Sequence, residues 1–233
     1  MIFLVRFTVL DNTRSDCMLL FGGMSASDDY ADLGEDVTLL GRWCVVGASS
    51  GYCVCKTKST LSLNQWLLGW SLMANIEVVP VVDDNEARAI LMNDDDLKYV
   101  APDMPDLQTF NTPEDEGMFA IDYKFRDSRA REAYELFSQM NERDNTDDVG
   151  ANTLLARWHD LGSGTGLIIC TSRSSAHLQE WASHWIDLCT FKILPIVTGE
   201  EFRKAVTAIP DFKERHAQVK ARANVKRGLF GWW

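Results

Sequence analysis

The side chains able to do chemistry fall into four groups. Histidines stand at 159, 177, 184 and 216. Cys53-Val-Cys55, read as a strand, puts two thiols on one face, as a metal pair requires. Arg42-Trp43 recurs as Arg157-Trp158, and one arginine in each half of the chain would suit a carboxylate or bicarbonate. Gly162-Ser-Gly-Thr-Gly166 has the glycine density of a phosphate-binding loop.

Each group has a plainer reading. No second cysteine pair lies at ligand spacing, and the six cysteines of a 233-residue chain with an ample core read as reduced packing residues. When the chain is aligned on itself, His159, His177 and His184 face Cys44, Ser62 and Gly69, so a duplicated site would lack its ligands in one half. Strand neighbours point to opposite faces, which sends Trp43 and Trp158 into the core and their arginines to the other side. The glycine run joins two strands rather than a strand and a helix, so a phosphate loop is excluded. No residue is assigned a catalytic, cofactor-binding or metal-binding role, and no cofactor is expected.

The elements that position these residues come from a duplication. Sliding the chain by 115 residues aligns 38–91 with 153–206 without a gap, and 16 of those 54 columns are identical, about 30%. Six of the eight tryptophans are three positions counted twice: 43/158, 66/181 and 70/185. Each copy begins with a period-two strand (Phe3, Val5, Phe7, Val9; Phe119, Ile121, Tyr123, Phe125), followed by a polar helix near 13–24 or 128–140. A hairpin comes next, its turn bracketed by Gly47 and Gly51 or by Gly162 and Gly166. Ser59 and Ser174 then read as N-caps of helices with one apolar face (Leu63, Trp66, Trp70; Leu178, Trp181, Trp185).

The last strands carry Pro80 and Pro195 and are expected at a sheet margin or a bend. Acidic helices close each copy, with Glu86, Arg88, Glu201 and Arg203 expected at their surface. The order β-α-β-β-α-β is the ferredoxin-like arrangement. The fold expected is α+β: ferredoxin-like repeats at 1–93 and 118–210, an acidic, proline-rich linker at 94–117, and the two repeats packed as a pseudo-two-fold α/β barrel.

Composition limits the partners. Forty-six per cent hydrophobic and 24% charged residues match globular usage, and a net charge of −11 makes nucleic acid and membrane surfaces poor partners. No window approaches the ~18–20 apolar residues of a spanning helix. The first ten residues lack the basic leader of a signal peptide and read as a strand.

Residues 211–233 reverse the sign. Lys213, Arg215, Lys220, Arg222, Lys226 and Arg227 against Asp211 and Glu214 give +4, which leaves −15 on residues 1–210. A basic helix over 212–225 is expected, then a glycine-hinged end, Lys226-Arg-Gly-Leu-Phe-Gly-Trp-Trp233. A tryptophan buries ~150–250 Å², worth roughly 4–6 kcal/mol before ordering costs, so this end is expected to dock. It docks either on its own domain or in a pocket on another copy.

The paired Leu-Leu-Gly/Ala-Arg-Trp segments, the Gly-x-x-x-Gly hairpins, the Leu-x-x-Trp-x-x-x-Trp helices, the Val-x-Pro-Val and Ile-Leu-Pro-Ile-Val strands and the Gly-Trp-Trp end resemble the diatom pyrenoid shell proteins. The resemblance implies a structural protein of the plastid stroma, its import leader removed, that assembles with itself into a sheet at the pyrenoid periphery. Such a sheet surrounds the Rubisco matrix and supports CO2 fixation. Shell-protein paralogues and the matrix are the implied further partners. Lys226, Arg227, Leu229, Phe230, Gly231, Trp232 and Trp233 are the implied assembly residues. A cofactor-free small-molecule enzyme or ligand-binding protein, with the barrel as its pocket, is the alternative.

Overall fold

The computed structural model describes residues 1–92, 100–108 and 110–230, with side chains through Ala223 in the last helix. The first repeat runs β1 (Ile2–Val9), α1 (Arg14–Gly22), α2 (Ala26–Leu33), β2 (Val37–Val45), β3 (Ser50–Thr57), α3 (Thr60–Ser71), β4 (Ala74–Asp83) and α4 (Asp84–Met92). The second runs β5 (Gly117–Phe125), α5 (Ala130–Gln139), α6 (Glu142–Val149), β6 (Thr153–Asp160), β7 (Thr165–Ser172), α7 (Ser175–His184), β8 (Cys189–Thr198) and α8 (Gly199–Thr207). A last helix, α9, spans Phe212–Phe230.

The fold is α+β, as expected. Strands hydrogen-bond in the order β1-β3-β2-β8-β5-β7-β6-β4, and the order closes on itself. Within each repeat this is the fourth-first-third-second order of a ferredoxin-like sheet. The expected margin for the proline strands does not exist. β8 pairs with β5 through eight unbroken positions, Met118↔Ile196 to Phe125↔Cys189, with Pro195 opposite Phe119. A ladder residue directs its N–H toward one neighbouring strand only, so proline costs a single bond on one side of an internal strand. The register breaks fall elsewhere, between Leu39 and Gly41 and between Leu154 and Ala156.

Two compact units result, one of residues 1–4 and 79–196, the other of 5–78 and 197–233. In the first, Ile121, Tyr123, Phe125, Ala133, Val149, Ile168, Cys170, Leu178, Trp181 and Leu188 form a core between strands and helices. Trp43 and Trp158 are wholly buried, one in each unit. Ser59 and Ser174 cap α3 and α7 by accepting from the backbone N–H of Ser62 and Ala176, as expected. Among the described residues no helix is long and apolar enough to cross a membrane.

Candidate functional site

Arg157 and His159, two apart on β6, share the strand face opposite Trp158. β4 runs antiparallel to β6 with Val82 beside His159 and Asp83 beside Trp158, so the chain leaving β4 begins α4 with Asp84 next to both side chains. The guanidinium of Arg157 donates from Nε and Nη2 to the two carboxylate oxygens of Asp84, each at 2.6 Å, and from Nη2 to Asn145 Oδ1 on α6 at 3.0 Å. His159 Nε2 lies 2.8 Å from Asp84 Oδ1, and its Nδ1 lies 2.6 Å from the Tyr123 hydroxyl. Arg88 donates to the carbonyls of Phe137 and Met140 at 2.7 and 3.0 Å. The Phe137 ring lies under both guanidinium groups, 4.2 Å from that of Arg88 and 4.9 Å from that of Arg157.

Burial alone would raise the pKa of Asp84. The charge of Arg157 and the bonds from His159 and Arg157 outweigh it and hold the carboxyl well below the usual carboxylate range. Burial pushes His159 down and Tyr123 up, so the imidazole is neutral and the phenol protonated at neutral pH. Asp84 is thus an ionised acceptor with no proton to give, and both imidazole nitrogens are engaged. The cluster is an ion network that fixes the helices to the strand face.

The other unit builds the matching cluster with its carboxylate in a different place. Arg42 donates to Asp29 Oδ1 on α2 at 2.8 Å, and Arg203 of α8 pairs with the other oxygen of the same carboxylate. Arg203 also donates to the carbonyl of Phe21 at 3.3 Å, and the Phe21 ring lies 5.0 and 4.5 Å from the guanidinium carbons of Arg42 and Arg203. Arg42 corresponds to Arg157, Arg203 to Arg88 and Phe21 to Phe137. Asp29 corresponds to Asn145, however, and Gly199 to Asp84. Each cluster keeps two arginines and one aspartate, drawn from α2 in one and from the start of α4 in the other.

Two expectations need correction. Arg88 is 1% exposed rather than at a helix surface, because α4 packs on α5 with this side chain between them, and Arg203 is likewise drawn inward, its side chain 20% exposed on the Asp29 carboxylate. Arg42 and Arg157 do lie on the face opposite their tryptophans, but helices cover that face and make it a second buried layer rather than an open anion site.

The helix tryptophans are held by a shared device. Trp66 and Trp70 both donate their indole N–H to Asp32 Oδ2, at 2.8 Å each. Trp181 and Trp185 donate to Asp148 Oδ2 and Oδ1 at 2.8 and 2.7 Å. Asp32 and Asp148 sit on α2 and α6, helices absent from the sequence expectation, whose polar helices end near 24 and 140. The signal was present. Ser25-x-x-Asp28 and Asn141-x-x-Asp144 form capping boxes, and a slide of 116 rather than 115 aligns Phe21, Met24, Asp28 and Asp32 with Phe137, Met140, Asp144 and Asp148.

All six cysteines are free and buried. Burial pushes Cys17 up to about 11 and Cys44, Cys55, Cys170 and Cys189 up to about 12, which leaves no nucleophilic thiolate among them. Among the described residues no three His, Cys, Asp or Glu side chains converge as metal ligands. A cavity of about 50 Å³ lies in the first unit, lined by Tyr123, Phe137, Arg157, His159, Trp181 and Trp185 among others, with room for a few water-sized molecules.

Of the implied assembly residues, Gly231, Trp232 and Trp233 lie outside the described residues, and Lys226, Arg227, Leu229 and Phe230 are described in backbone only. That backbone is helical. α9 continues through Gly228 to Phe230 in place of the expected hinge, since one glycine costs ~1 kcal/mol in a helix otherwise rich in Ala, Lys and Arg. α9 is anchored on α1. Val219 is buried, Arg222 pairs with Asp16 at 2.9 Å, and the His216 ring lies against Gly23.

Among solved structures, a candidate monooxygenase of Lactobacillus acidophilus is similar over 85% of this chain and 93% of its own, at 10% identity and a TM-score of 0.47. One of Fusobacterium nucleatum is similar over 84% and 91%, at 8% identity and 0.47. A candidate chlorite dismutase is similar over 88% and 98%, at 7% identity and 0.46. No curated protein matches the sequence. One family model matches the chain twice, at residues 1–94 and 118–209, and the chain therefore belongs to the family described as a domain of unknown function, DUF3303.

Proposed function

We propose that this chain is a structural protein that assembles with copies of itself through its C-terminal end. The observation that carries this reading is the polarity of the chain. A helix bearing Lys213, Arg215, Lys220, Arg222, Lys226 and Arg227 leads into Leu229-Phe230-Gly231-Trp232-Trp233, while residues 1–210 carry −15. Opposite charges steer one copy onto the next, and buried aromatic side chains hold the contact. A donor end that enters a different patch on its neighbour makes a heterologous contact, which extends into larger assemblies. The residue-level resemblance to diatom pyrenoid shell proteins carries the reading further, to a sheet around the Rubisco matrix in the plastid stroma, with no chemistry of its own.

The rival reading, a cofactor-free enzyme or ligand-binding protein, has the small cavity beside Tyr123 and His159 in its favour. It requires Arg42 or Arg157 to bind a ligand, and both already pair with Asp29 and Asp84. The test is negative-stain microscopy with size-exclusion chromatography of the purified full chain and of a chain lacking residues 228–233. The full chain forms large ordered assemblies at modest salt, and the shortened one stays monomeric. Equal assembly by both refutes the role of the tail, and a discrete full-length monomer or dimer refutes assembly.

A further inference from the structure

The equivalent helices α1 and α5 present equivalent outer faces, and the two faces are finished differently. On α1 the face is covered by α9. The His216 ring packs on Gly23, and Arg222 pairs with Asp16. On α5 the counterpart of Gly23 is Gln139, which lines an open groove of about 360 Å³ together with Leu136, Met140, Asp144, Asp148, His184 and Trp185. Leu136 is 50% exposed. Asp144 stands at the position of Asp28.

The volume falls within the ~300–1,000 Å³ of sites that bury a compact organic group. Its walls combine apolar side chains with a carboxylate at the rim. On α1 the helix end equivalent to one wall of this groove, at Gly23, carries His216 of the basic helix α9.

We propose that the groove between α5, α6 and α7 is the acceptor for the C-terminal end of a second copy, with Trp232 or Trp233 against Leu136, Met140 and Trp185. Lys226 or Arg227 then faces Asp144. The inference rests on the assembly reading and names its receiving surface. Charge complementarity selects the occupant: the end of α9 is basic, and α6 beside the groove carries Glu142, Asp144, Asp147 and Asp148 against Arg143 alone. The contact is heterologous, because the donor is a chain end and the acceptor a helix face.

The test uses full-length chains. Leu136→Lys places a like charge where the basic end would dock, at a side chain already half in solvent. Leu72→Lys makes the same change at a 78% exposed leucine outside the groove. The concentration at which light scattering appears should rise at least tenfold for Leu136→Lys and stay within twofold for Leu72→Lys. Mixing supplies the control for folding. Leu136→Lys retains a donor end, and a chain ending at residue 227 retains an acceptor groove. Neither should assemble alone, and together they should form a one-to-one dimer on size-exclusion chromatography with light scattering. Unchanged assembly of Leu136→Lys, loss of assembly in Leu72→Lys instead, or absence of the mixed dimer overturns the groove while the assembly reading stands. A wild-type chain that does not assemble overturns both.

Discussion

Removing the carboxylate at Asp84 tests the central structural claim, that each unit needs one aspartate to hold its arginines. In Asp84→Asn the Arg157 guanidinium, 6% exposed, keeps a neutral oxygen but loses the ionised partner that receives two of its bonds at 2.6 Å. Breaking a buried pair by removing one charge costs about 3–5 kcal/mol. For a chain of this size each kcal/mol shifts the melting temperature by about 2–4 °C, so the variant should melt roughly 6–20 °C lower.

The duplication supplies the rescue. Asn145 already accepts from Arg157 Nη2 at 3.0 Å, and its counterpart Asp29 is the working carboxylate of the other cluster. Asn145→Asp in the Asp84→Asn background should recover at least half of the loss. In the wild-type background the same change crowds a second carboxylate onto one guanidinium and should be neutral or destabilising. The double-mutant cycle, read by urea denaturation, should therefore show a coupling of about 2 kcal/mol or more. A loss below about 1 kcal/mol for Asp84→Asn, or equal effects of Asn145→Asp in both backgrounds, would refute the reasoning.

Four further outcomes follow from the same structure. The pKa of His159 is lowered in the folded state by burial, so the unfolded chain takes up its proton first. Stability should fall as pH drops below about 6.5, and a denaturation series on His159→Gln should be flatter from there down to about pH 5. Asp84, also lowered, contributes stability above about pH 4 that is lost on further acidification, so Asp84→Asn should lack that steeper limb. A Cβ on Gly51 or Gly166 would stand 2.1 or 2.2 Å from the carbonyl oxygen of Trp43 or Trp158, so alanine at either should cost several kcal/mol by thermal melting, where a merely loose strand would lose about 1 kcal/mol or less. The six thiols should resist a thiol reagent at neutral pH in the folded chain and react fully in urea; a rapidly labelled native cysteine contradicts the burial described for all six.

The duplication made most of the fold legible. Hydrophobic period and the self-alignment located all eight strands and both capped tryptophan helices, because burial imposes the same side-chain pattern on both copies, but passed over the short polar helices α2 and α6. The ion networks were not legible, for three physical reasons. Asp29 and Asn145 lie on helices displaced by one residue from the register that aligns the strands, so a gapless comparison passes over them. The pairing of Asp84 with Arg157 crosses 73 residues and depends on β4 lying against β6, a long-range consequence that no local pattern encodes. Arg88 reads as a surface residue on a short acidic helix because composition reports the exposed side of that helix, whereas Arg88 points to the other.

Salt provides the last discrimination, because the proposed contact combines two forces that respond oppositely to different salts. Attraction between Lys226 or Arg227 and Asp144 is screened within about 8 Å at 0.15 M ionic strength and about 3 Å at 1 M, so sodium chloride should raise the concentration needed for assembly. Burial of Leu136, Met140 and Trp185 under an indole is strengthened by sulfate, which is excluded from apolar surface. At equal ionic strength, ammonium sulfate should therefore support assembly at concentrations where sodium chloride suppresses it. A contact made of charges alone would be weakened by both salts, and one made of apolar area alone would be indifferent to sodium chloride. Either uniform response removes one half of the recognition argued for the groove, and Leu136→Lys, which alters the apolar wall and the local charge together, should abolish the difference between the two salts.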